Sequence, residues 1–277
     1  MTFILIFLFA SQIVAQNNQN NSYDDYVYSQ KDGNDLKAYV FSPDNRESEK
    51  SRPVIVFFHG GSWITGEPSW CFGLAQHFSE RGMVGVAVQY RLSDQKDITP
   101  VDAMSDAQEA IKWLRLHKDT LHIDPKKIAA YGISAGGHLA VMAAINGDEM
   151  SAPNALVLVS PAVSLVDVEW SEWFKGLLLD RAKIDSLSPD KNVRKGLPPT
   201  IILQGRTDKI TPLDGAQIFT NKMIAAGNRC DLIVYDNVGH LFTPSIENDR
   251  APNPDPKVEA EALAEADEFL KSLRYIY

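Results

Sequence analysis

Short apolar runs alternate with longer amphipathic stretches along most of the chain. Five of the short runs are almost wholly apolar, which is typical of strands that helices cover on both faces. They are Val54–Phe58, Val84–Val88, Ile128–Tyr131, Ala155–Val159 and Thr200–Leu203. The apolar spacing predicts helices near Phe72–Arg81, Asp102–Lys118, Ser134–Asn146, Leu213–Ala226 and Pro256–Leu273. This alternation predicts an α/β fold with a central, mostly parallel, doubly wound sheet.

A hairpin is predicted before the first of these runs. Tyr26–Gln30 and Leu36–Phe41 are half polar, and they flank Asp32-Gly33-Asn34, a sequence typical of tight turns between antiparallel strands. Half-polar strands suit the edge of a sheet, so we expect the hairpin at one edge. A further short strand is predicted at Leu232–Tyr235.

The N-terminal segment has a different pattern. Phe3–Ala10 is an unbroken apolar run, and Ala15 is a small residue suited to a cleavage site. We interpret residues 1–15 as a secretory signal peptide, 16–22 as a flexible polar tether and 23–277 as one folded domain, secreted or periplasmic. A bilayer span needs about 20 apolar residues, so no stable membrane anchor is expected. The apolar run is preceded by no Lys or Arg, which leaves a buried N-terminal strand as the alternative.

Composition narrows the classes of function. The chain has 277 residues, 44% hydrophobic and 23% charged, so it can bury a sizeable core. A formal net charge of −9 without a basic stripe argues against nucleic acid as a partner. Cys71 and Cys230 are too few for a disulfide scaffold and lack the neighbours of a zinc site, so no metal or cofactor is predicted. Their pairing and the oligomeric state stay open.

The pentapeptide G-I-S-A-G at residues 132–136 follows a predicted strand and opens a predicted helix. A G-x-S-x-G sequence in that context is typical of a sharp turn that presents a nucleophilic serine. Small residues are needed around such a turn because a Cβ would collide with the neighbouring strand and helix. Ser134 is therefore the candidate nucleophile, and an ordinary surface turn is the alternative.

A second glycine-containing loop, H-G-G-S-W at residues 59–63, follows the predicted strand Val54–Phe58. Small residues allow backbone N–H groups to approach a developing oxyanion closely. We expect the oxyanion hole to be formed by the N–H groups of Gly61, Ser62 and Ala135, the last of which follows the nucleophile.

A serine nucleophile needs a base and a carboxylate that orients the base. Asp208 follows the strand Thr200–Leu203, and His240 follows the strand Leu232–Tyr235. The order Ser, Asp, His along the chain is that of α/β-hydrolases. Asp214 and Asp236 are the alternative carboxylates. The remaining histidines have structural interpretations; they are His59, His77, His117, His122 and His138.

The combination of HGGSW, GISAGG, GRTD and GH resembles the α/β-hydrolase superfamily, in particular small esterases of the hormone-sensitive-lipase-like and carbohydrate-esterase kinds. The resemblance covers nearly the whole chain after the tether, and Tyr90-Arg91-Leu92 and Asp106 add to it as structural elements. Ser62 and Trp63 stand where the lipase-like branch has a third glycine. This H-G-G-x-W form is similar to that of secreted feruloyl and acetyl esterases and of arylformamidases.

Aromatic residues suggest where substrate binds. Trp63 and Trp70 are expected beside the oxyanion loop. Residues 161–196, which include Trp173, are longer than a simple connection and are expected to form a small cap insertion over the site. A helix pair that packs against the sheet is the alternative for this segment.

The resemblance implies a carboxylic ester hydrolase with an acyl-enzyme intermediate. Export and resemblance together favour a small-molecule or oligosaccharide ester substrate, namely feruloyl or acetyl esters of plant polysaccharides. The alternatives within enzymes are an arylformamidase, a small-ester carboxylesterase and a prolyl-type peptidase. A catalytically silent binding module is the alternative outside enzymes, and it is disfavoured because Ser134, Asp208 and His240 are all present.

Overall fold

The structure is a computed structural model. It describes residues 23–44, 51–93, 98–165 and 181–276. The predicted signal peptide and tether, residues 1–22, lie outside the described residues. So do Trp173 and the part of the predicted cap from 166 to 180.

Within the described residues, eight strands form one sheet in the order β1-β2-β4-β3-β5-β6-β7-β8. Their bounds are β1 Asp24–Lys31, β2 Asn34–Phe41, β3 Arg52–Phe58, β4 Val84–Val88, β5 Ile123–Ile133, β6 Ala155–Val159, β7 Thr200–Gly205 and β8 Cys230–Tyr235. β2 runs antiparallel to β1 and β4, and the other neighbouring pairs are parallel. The predicted mostly parallel central sheet is confirmed.

The hairpin β1–β2 lies at one edge of the sheet, as predicted. Lys31 and Asn34 pair across it, and the two residues between them, Asp32 and Gly33, have φ values of 52° and 79°. Two successive residues with positive φ match the twist of an antiparallel pair. The turn sequence therefore determines where the chain reverses.

Helices lie between the parallel strands along the chain, and a final helix follows β8. They are α1 Phe72–Ser79, α2 Pro100–Leu116, α3 Ala135–Asn146, α4 Arg181–Leu187, α5 Leu213–Ala225 and α6 Pro256–Ser272. α2 begins slightly earlier than predicted because Asp102 Oδ2 accepts a hydrogen bond from the Thr99 backbone N–H at 2.8 Å, and Pro100 is tolerated in a first turn. Across the described parts of the chain, no helix combines the length and hydropathy needed to cross a bilayer.

Both faces of the sheet are buried. Val54, Val56 and Phe58 of β3 join the core on the side of α2, α3 and α5. Ile55 and Phe57 join the core on the side of α1 and α6. Since successive side chains of a strand point to opposite faces, covering both faces requires an unbroken apolar run.

The parallel topology brings the candidate functional residues together at one edge of the sheet. β3, β5, β6, β7 and β8 run in the same direction, so their carboxyl ends lie together. The residues that follow or end these strands include His59, Ser134, Ser160, Asp208 and His240. Ligands of open α/β sheets bind at this edge.

The two cysteines are free and buried in the clusters on opposite faces of the sheet. They therefore form no bridge with each other. Burial raises the pKa of Cys71 to about 12 and that of Cys230 to about 11, so both thiols stay protonated at neutral pH.

Gly136 packs the start of α3 against the end of β3. A Cβ at this position would overlap the carbonyl oxygens of Phe58 and His59. We therefore predict that Gly136→Ala lowers the free energy of unfolding by at least about 2 kcal/mol, measured by urea denaturation. Gly73→Ala is the matched control, because its Cβ would lie in open space on helix α1 and helical Ala is favoured over Gly. Equal effects of the two substitutions would contradict the steric account.

His138 of α3 has no solvent-exposed surface, and its Nε2–H donates to Leu187 O at 2.9 Å. Burial lowers the pKa of His138 to about 4. The unfolded chain binds this proton below about pH 6.5 and the folded chain does not, so the free energy of unfolding falls as pH drops from about 6.5 toward 4. We predict that the loss between pH 7 and pH 5 is about 2 kcal/mol smaller in His138→Gln, measured by urea denaturation. An unchanged pH dependence would show that folding does not lower the pKa of His138, which would contradict this account.

Candidate active site

Ser134 occupies a sharp turn between β5 and α3. Its φ of 53° and ψ of −116° are strained for a non-glycine residue. Its backbone N–H donates to Val159 O at 2.9 Å, which ties the turn to the end of β6. A Cβ on Gly132 would come 2.5 Å from Gly137 Cα, so the strand and helix approach too closely for a larger residue. The local packing therefore holds the serine in the strained conformation.

Ser134, His240 and Asp208 form a hydrogen-bonded chain. His240 Nε2 lies 3.1 Å from Ser134 Oγ, and His240 Nδ1 lies 3.0 Å from Asp208 Oδ2. Each of the three residues is only 5% exposed. The structure thus brings together three side chains that are separated by 74 and 32 positions along the sequence, from 134 to 208 and from 208 to 240.

Asp208 is held by several donors. The backbone N–H groups of Ile210 and Thr211 donate to Oδ1 at 2.9 and 2.8 Å. Gln204 Nε2 donates to Oδ2 at 2.9 Å and also to Thr211 O at 2.8 Å. A buried carboxylate with this many donors has its hydrogen-bonding capacity satisfied and is held in one orientation.

The alternative carboxylates lie elsewhere. Asp236 is exposed and pairs with Arg206. Asp214 is exposed in the first turn of α5, where a carboxylate suits the helix dipole. Among the three candidates, only Asp208 is bonded to His240.

Sequence reasoning missed three polar residues beside these groups, namely Gln204, Thr211 and Ser160. The Ser160 hydroxyl accepts from Leu241 N at 3.1 Å, and Thr211 Oγ1 lies 3.2 Å from His240 Nδ1. The available signal was a glutamine at the end of the otherwise apolar run of β7. A polar side chain at the carboxyl end of a buried strand indicates a local hydrogen-bond network.

The predicted oxyanion loop lies beside the serine. A Cβ on Gly60 would be 3.4 Å from Ser134 Cβ. Gly61, Ser62 and Trp63 all have positive φ, at 117°, 55° and 61°, and Gly61 O accepts from Thr65 N at 3.0 Å. Within the described ranges, the backbone N–H groups of Gly61, Ser62 and Ala135 have no acceptor. They are available to a bound group.

His59 and Tyr90 hold the start of this loop through ring stacking and hydrogen bonds. Their rings stack with centroids 4.3 Å apart, and the Tyr90 hydroxyl donates to His59 O at 2.8 Å. Burial lowers the pKa of His59 to about 4, so the ring is neutral, and its Nδ1 lies 2.6 Å from Gly60 O. A neutral imidazole that donates from Nδ1 fixes the carbonyl of Gly60 and hence the direction of the following N–H groups.

The prediction that Trp63 contacts substrate is wrong. Its side chain is fully buried in the core and packs edge-on against His138 with ring centroids 5.1 Å apart. A side chain without accessible surface has nothing to offer a substrate, and its role is to anchor the oxyanion loop on α3. Trp70 is 40% exposed and lies edge-on to His59 at 5.9 Å. Trp173 lies outside the described residues.

No group of three or more metal-ligating side chains gathers in the described ranges. A cavity of about 360 Å³ lies between the C-terminal end of α3 and the approach to β7, lined by residues such as Gly147, Asp148, Pro153 and Arg194. This is the end of α3 away from Ser134, so the cavity is not adjacent to the candidate site.

Comparison with known proteins bears on the family. The BD-FAE family model matches residues 40–164, which include the oxyanion loop and Ser134. Isoprenylcysteine alpha-carbonyl methylesterase of Arabidopsis thaliana is 26% identical over 77% of this chain and 55% of its own length. Acetylxylan esterase of Xylanibacter ruminicola is 24% identical over 86% of this chain and 50% of its own length. The chain therefore spans about half the length of both relatives.

A solved structure matches over nearly the full length. The apo form of Thermogutta terrifontis esterase 2 is 32% identical, covers 92% of this chain and 96% of its own, and superimposes with a TM-score of 0.81. Further structures of that esterase contain propionate or butyrate, or were phosphorylated by paraoxon. The mostly parallel sheet, the strained serine turn and this similarity lead to one conclusion: the chain belongs to the carboxylic ester hydrolases of the α/β-hydrolase superfamily.

Proposed function

We propose that this protein hydrolyses short-acyl or feruloyl esters through a covalent intermediate on Ser134. The observation that carries the proposal is the chain of contacts from Ser134 Oγ to His240 Nε2 at 3.1 Å and from His240 Nδ1 to Asp208 Oδ2 at 3.0 Å. A serine hydroxyl is a weak nucleophile, and a neutral imidazole within hydrogen-bond distance is the group that activates it.

Acylation follows from this geometry. Ser134 Oγ attacks the ester carbonyl while His240 Nε2 takes the hydroxyl proton. Asp208 stabilises the imidazolium and fixes the tautomer that leaves Nε2 free to accept. The tetrahedral intermediate collapses, and His240 returns the proton to the departing alcohol, which leaves an acyl group on Ser134. In deacylation, His240 Nε2 takes a proton from water as the water attacks the acyl carbonyl, the bond to Ser134 Oγ breaks, the carboxylic acid leaves and His240 returns the proton to Ser134 Oγ.

The N–H groups of Gly61, Ser62 and Ala135 stabilise the oxyanion in both steps. Their lack of acceptors among the described residues supports this role, because a developing charge satisfies them without breaking existing bonds. Ser134 also lies at the N-terminus of α3, where the helix dipole favours negative charge. Each oxyanion donor contributes about 2.7–4 kcal/mol to transition-state stabilisation in serine hydrolases.

Acetyl and feruloyl groups on plant polysaccharides are the proposed substrates. An acetylxylan esterase is among the relatives, and the structurally similar esterase accommodates propionate and butyrate. Trp70 adds an exposed aromatic face near the oxyanion loop that suits an aryl or sugar ring. Export of the chain, expected from residues 1–15, would bring the enzyme to polymeric substrates.

We predict that Ser134→Ala lowers kcat on p-nitrophenyl acetate by roughly 10⁴-fold or more, because the nucleophile is removed. Ser272→Ala at the exposed end of α6 is the matched control and should keep wild-type kcat. Comparable activity of Ser134→Ala and Ser272→Ala would contradict the assignment of the nucleophile.

Substrate preference is tested separately. p-Nitrophenyl acetate, butyrate and decanoate, methyl ferulate and acetylated or feruloylated xylan fragments form the panel. The structurally similar esterase binds propionate and butyrate, so we propose an acyl pocket of matching length that has no room for the additional methylenes of decanoate. We predict that kcat/KM for acetate exceeds that for decanoate at least about tenfold, since each methylene that such a pocket excludes costs about 1–3 kcal/mol, and that xylan fragments release acetate or ferulate. Rapid hydrolysis of p-nitrophenyl esters with no release from any xylan fragment would contradict the polysaccharide proposal and leave a small-ester carboxylesterase.

A further inference from the structure

The Thr211 hydroxyl lies at the junction of three polar groups. Thr211 Oγ1 is 2.9 Å from Asp208 Oδ2, 3.0 Å from Ser160 O and 3.2 Å from His240 Nδ1. Thr211 is 4% exposed, so water does not compete strongly for these positions. The resemblance to known esterases assigned no role to this residue.

A hydroxyl carries one proton, so it serves only one of its two acceptors at a time. When Thr211 donates to Asp208 Oδ2, it withdraws charge from the oxygen that faces His240 Nδ1. When it donates to Ser160 O, Oδ2 loses one donor and the Thr211 oxygen presents lone pairs toward the Nδ1–H. The two arrangements differ only by rotation of the hydroxyl.

The carboxylate itself has little freedom. Its Oδ1 accepts from the N–H groups of Ile210 and Thr211, and its Oδ2 accepts from Gln204 Nε2. Gln204 is bound in turn to Thr211 O, and it has no exposed surface. The mobile element of this network is therefore the Thr211 hydroxyl rather than the Asp208 side chain.

We propose that Thr211 is a positioning residue whose hydroxyl adjusts the strength of the hydrogen bond between Asp208 Oδ2 and His240 Nδ1 during the reaction. In the resting enzyme it donates to Asp208, which weakens the attraction of the carboxylate for a proton on the imidazole and keeps His240 available as a base at lower pH. When the imidazolium forms, the hydroxyl turns to Ser160 O. The Thr211 proton never leaves its oxygen, and the transferred proton moves only between Ser134 Oγ, or its substrate counterpart, and His240 Nε2.

Charged groups around the network are few in the described part of the chain. The loop after β7 contributes Asp208 and Lys209. The loop after His240 contributes Asp249, which accepts from Lys209 N at 2.9 Å and lies against Gly239. The serine turn and Ser160 contribute neutral groups. Because Asp249 and Lys209 are unchanged in the variants below, a shift in pH dependence reports on the Thr211 hydroxyl.

The test compares Thr211→Val and Thr211→Ala with Thr211→Ser, using p-nitrophenyl acetate from pH 4.5 to 9 as substrate. We expect both variants without the hydroxyl to move the acid-side midpoint of kcat/KM upward by about half to one pH unit, since a hydrogen bond of ordinary strength is lost from the carboxylate. We also expect kcat to fall about tenfold with little change in KM, while Thr211→Ser restores both the midpoint and kcat.

Thr220→Val is the matched control for removal of a buried threonine hydroxyl. Thr220 is 6% exposed in α5, and its Oγ1 contacts Cys230 Sγ at 3.7 Å, away from the described site. This variant should keep the wild-type midpoint. The midpoint is obtained from relative values of kcat/KM at different pH within one preparation. It therefore does not depend on how much of each variant is folded.

An unchanged midpoint in both Thr211→Val and Thr211→Ala would overturn the proposal and leave Thr211 a packing role. Failure of Thr211→Ser to restore the midpoint would do the same. The inference rests on the proposed function, and Ser134→Ala in the same assay separates the two. If Ser134→Ala stays active, the proposed function fails; if it is inert and the Thr211 variants keep the wild-type midpoint, only this inference fails.

Discussion

The close approach of α3 to the ends of β3 and β6 is the constraint on which the site depends. Gly132, Gly136 and Gly137 allow backbone atoms to come nearer than any Cβ would permit, and Ser134 is left with a positive φ as a result. Backbone strain of this kind costs of order 1–3 kcal/mol and persists only where surrounding packing enforces it. The buried helix α3 supplies that packing, and Trp63 and His138 link it to the oxyanion loop. The strain that exposes the nucleophile is therefore supported by the core.

A second feature is the concentration of polar groups at an otherwise apolar edge. Asp208 is buried, yet backbone N–H groups and Gln204 donate to both of its carboxylate oxygens. Among the described residues, His240 is the one titratable base that the structure pairs with it. These donors come from the end of β7 and from the turn that follows it, which makes the carboxylate position a property of local chain folding. The histidine loop then needs only to bring one imidazole nitrogen to Asp208 and the other to Ser134.

Much of the fold could be predicted from periodicity because strands buried on both faces produce continuous apolar runs, as in Val54–Phe58. Ser134, His240 and Asp208 were also predictable, since each of them follows a recognisable strand. The burial of Trp63 was not, because a tryptophan next to two glycines has the same sequence whether it turns toward solvent or toward α3. Thr211 and Gln204 were missed because their role depends on distances across a turn rather than on a pattern along the chain.

The central claim is that the strained Ser134 is a nucleophile activated by His240. Reaction with paraoxon, followed by intact-mass measurement and peptide mapping, tests it most directly, because the reagent phosphorylates an activated serine without requiring the natural ester. The account predicts a single diethylphosphoryl group on Ser134, release of one equivalent of p-nitrophenol, and greatly slowed labelling in His240→Ala. Labelling of another residue, or equal labelling rates in wild type and His240→Ala, would contradict it.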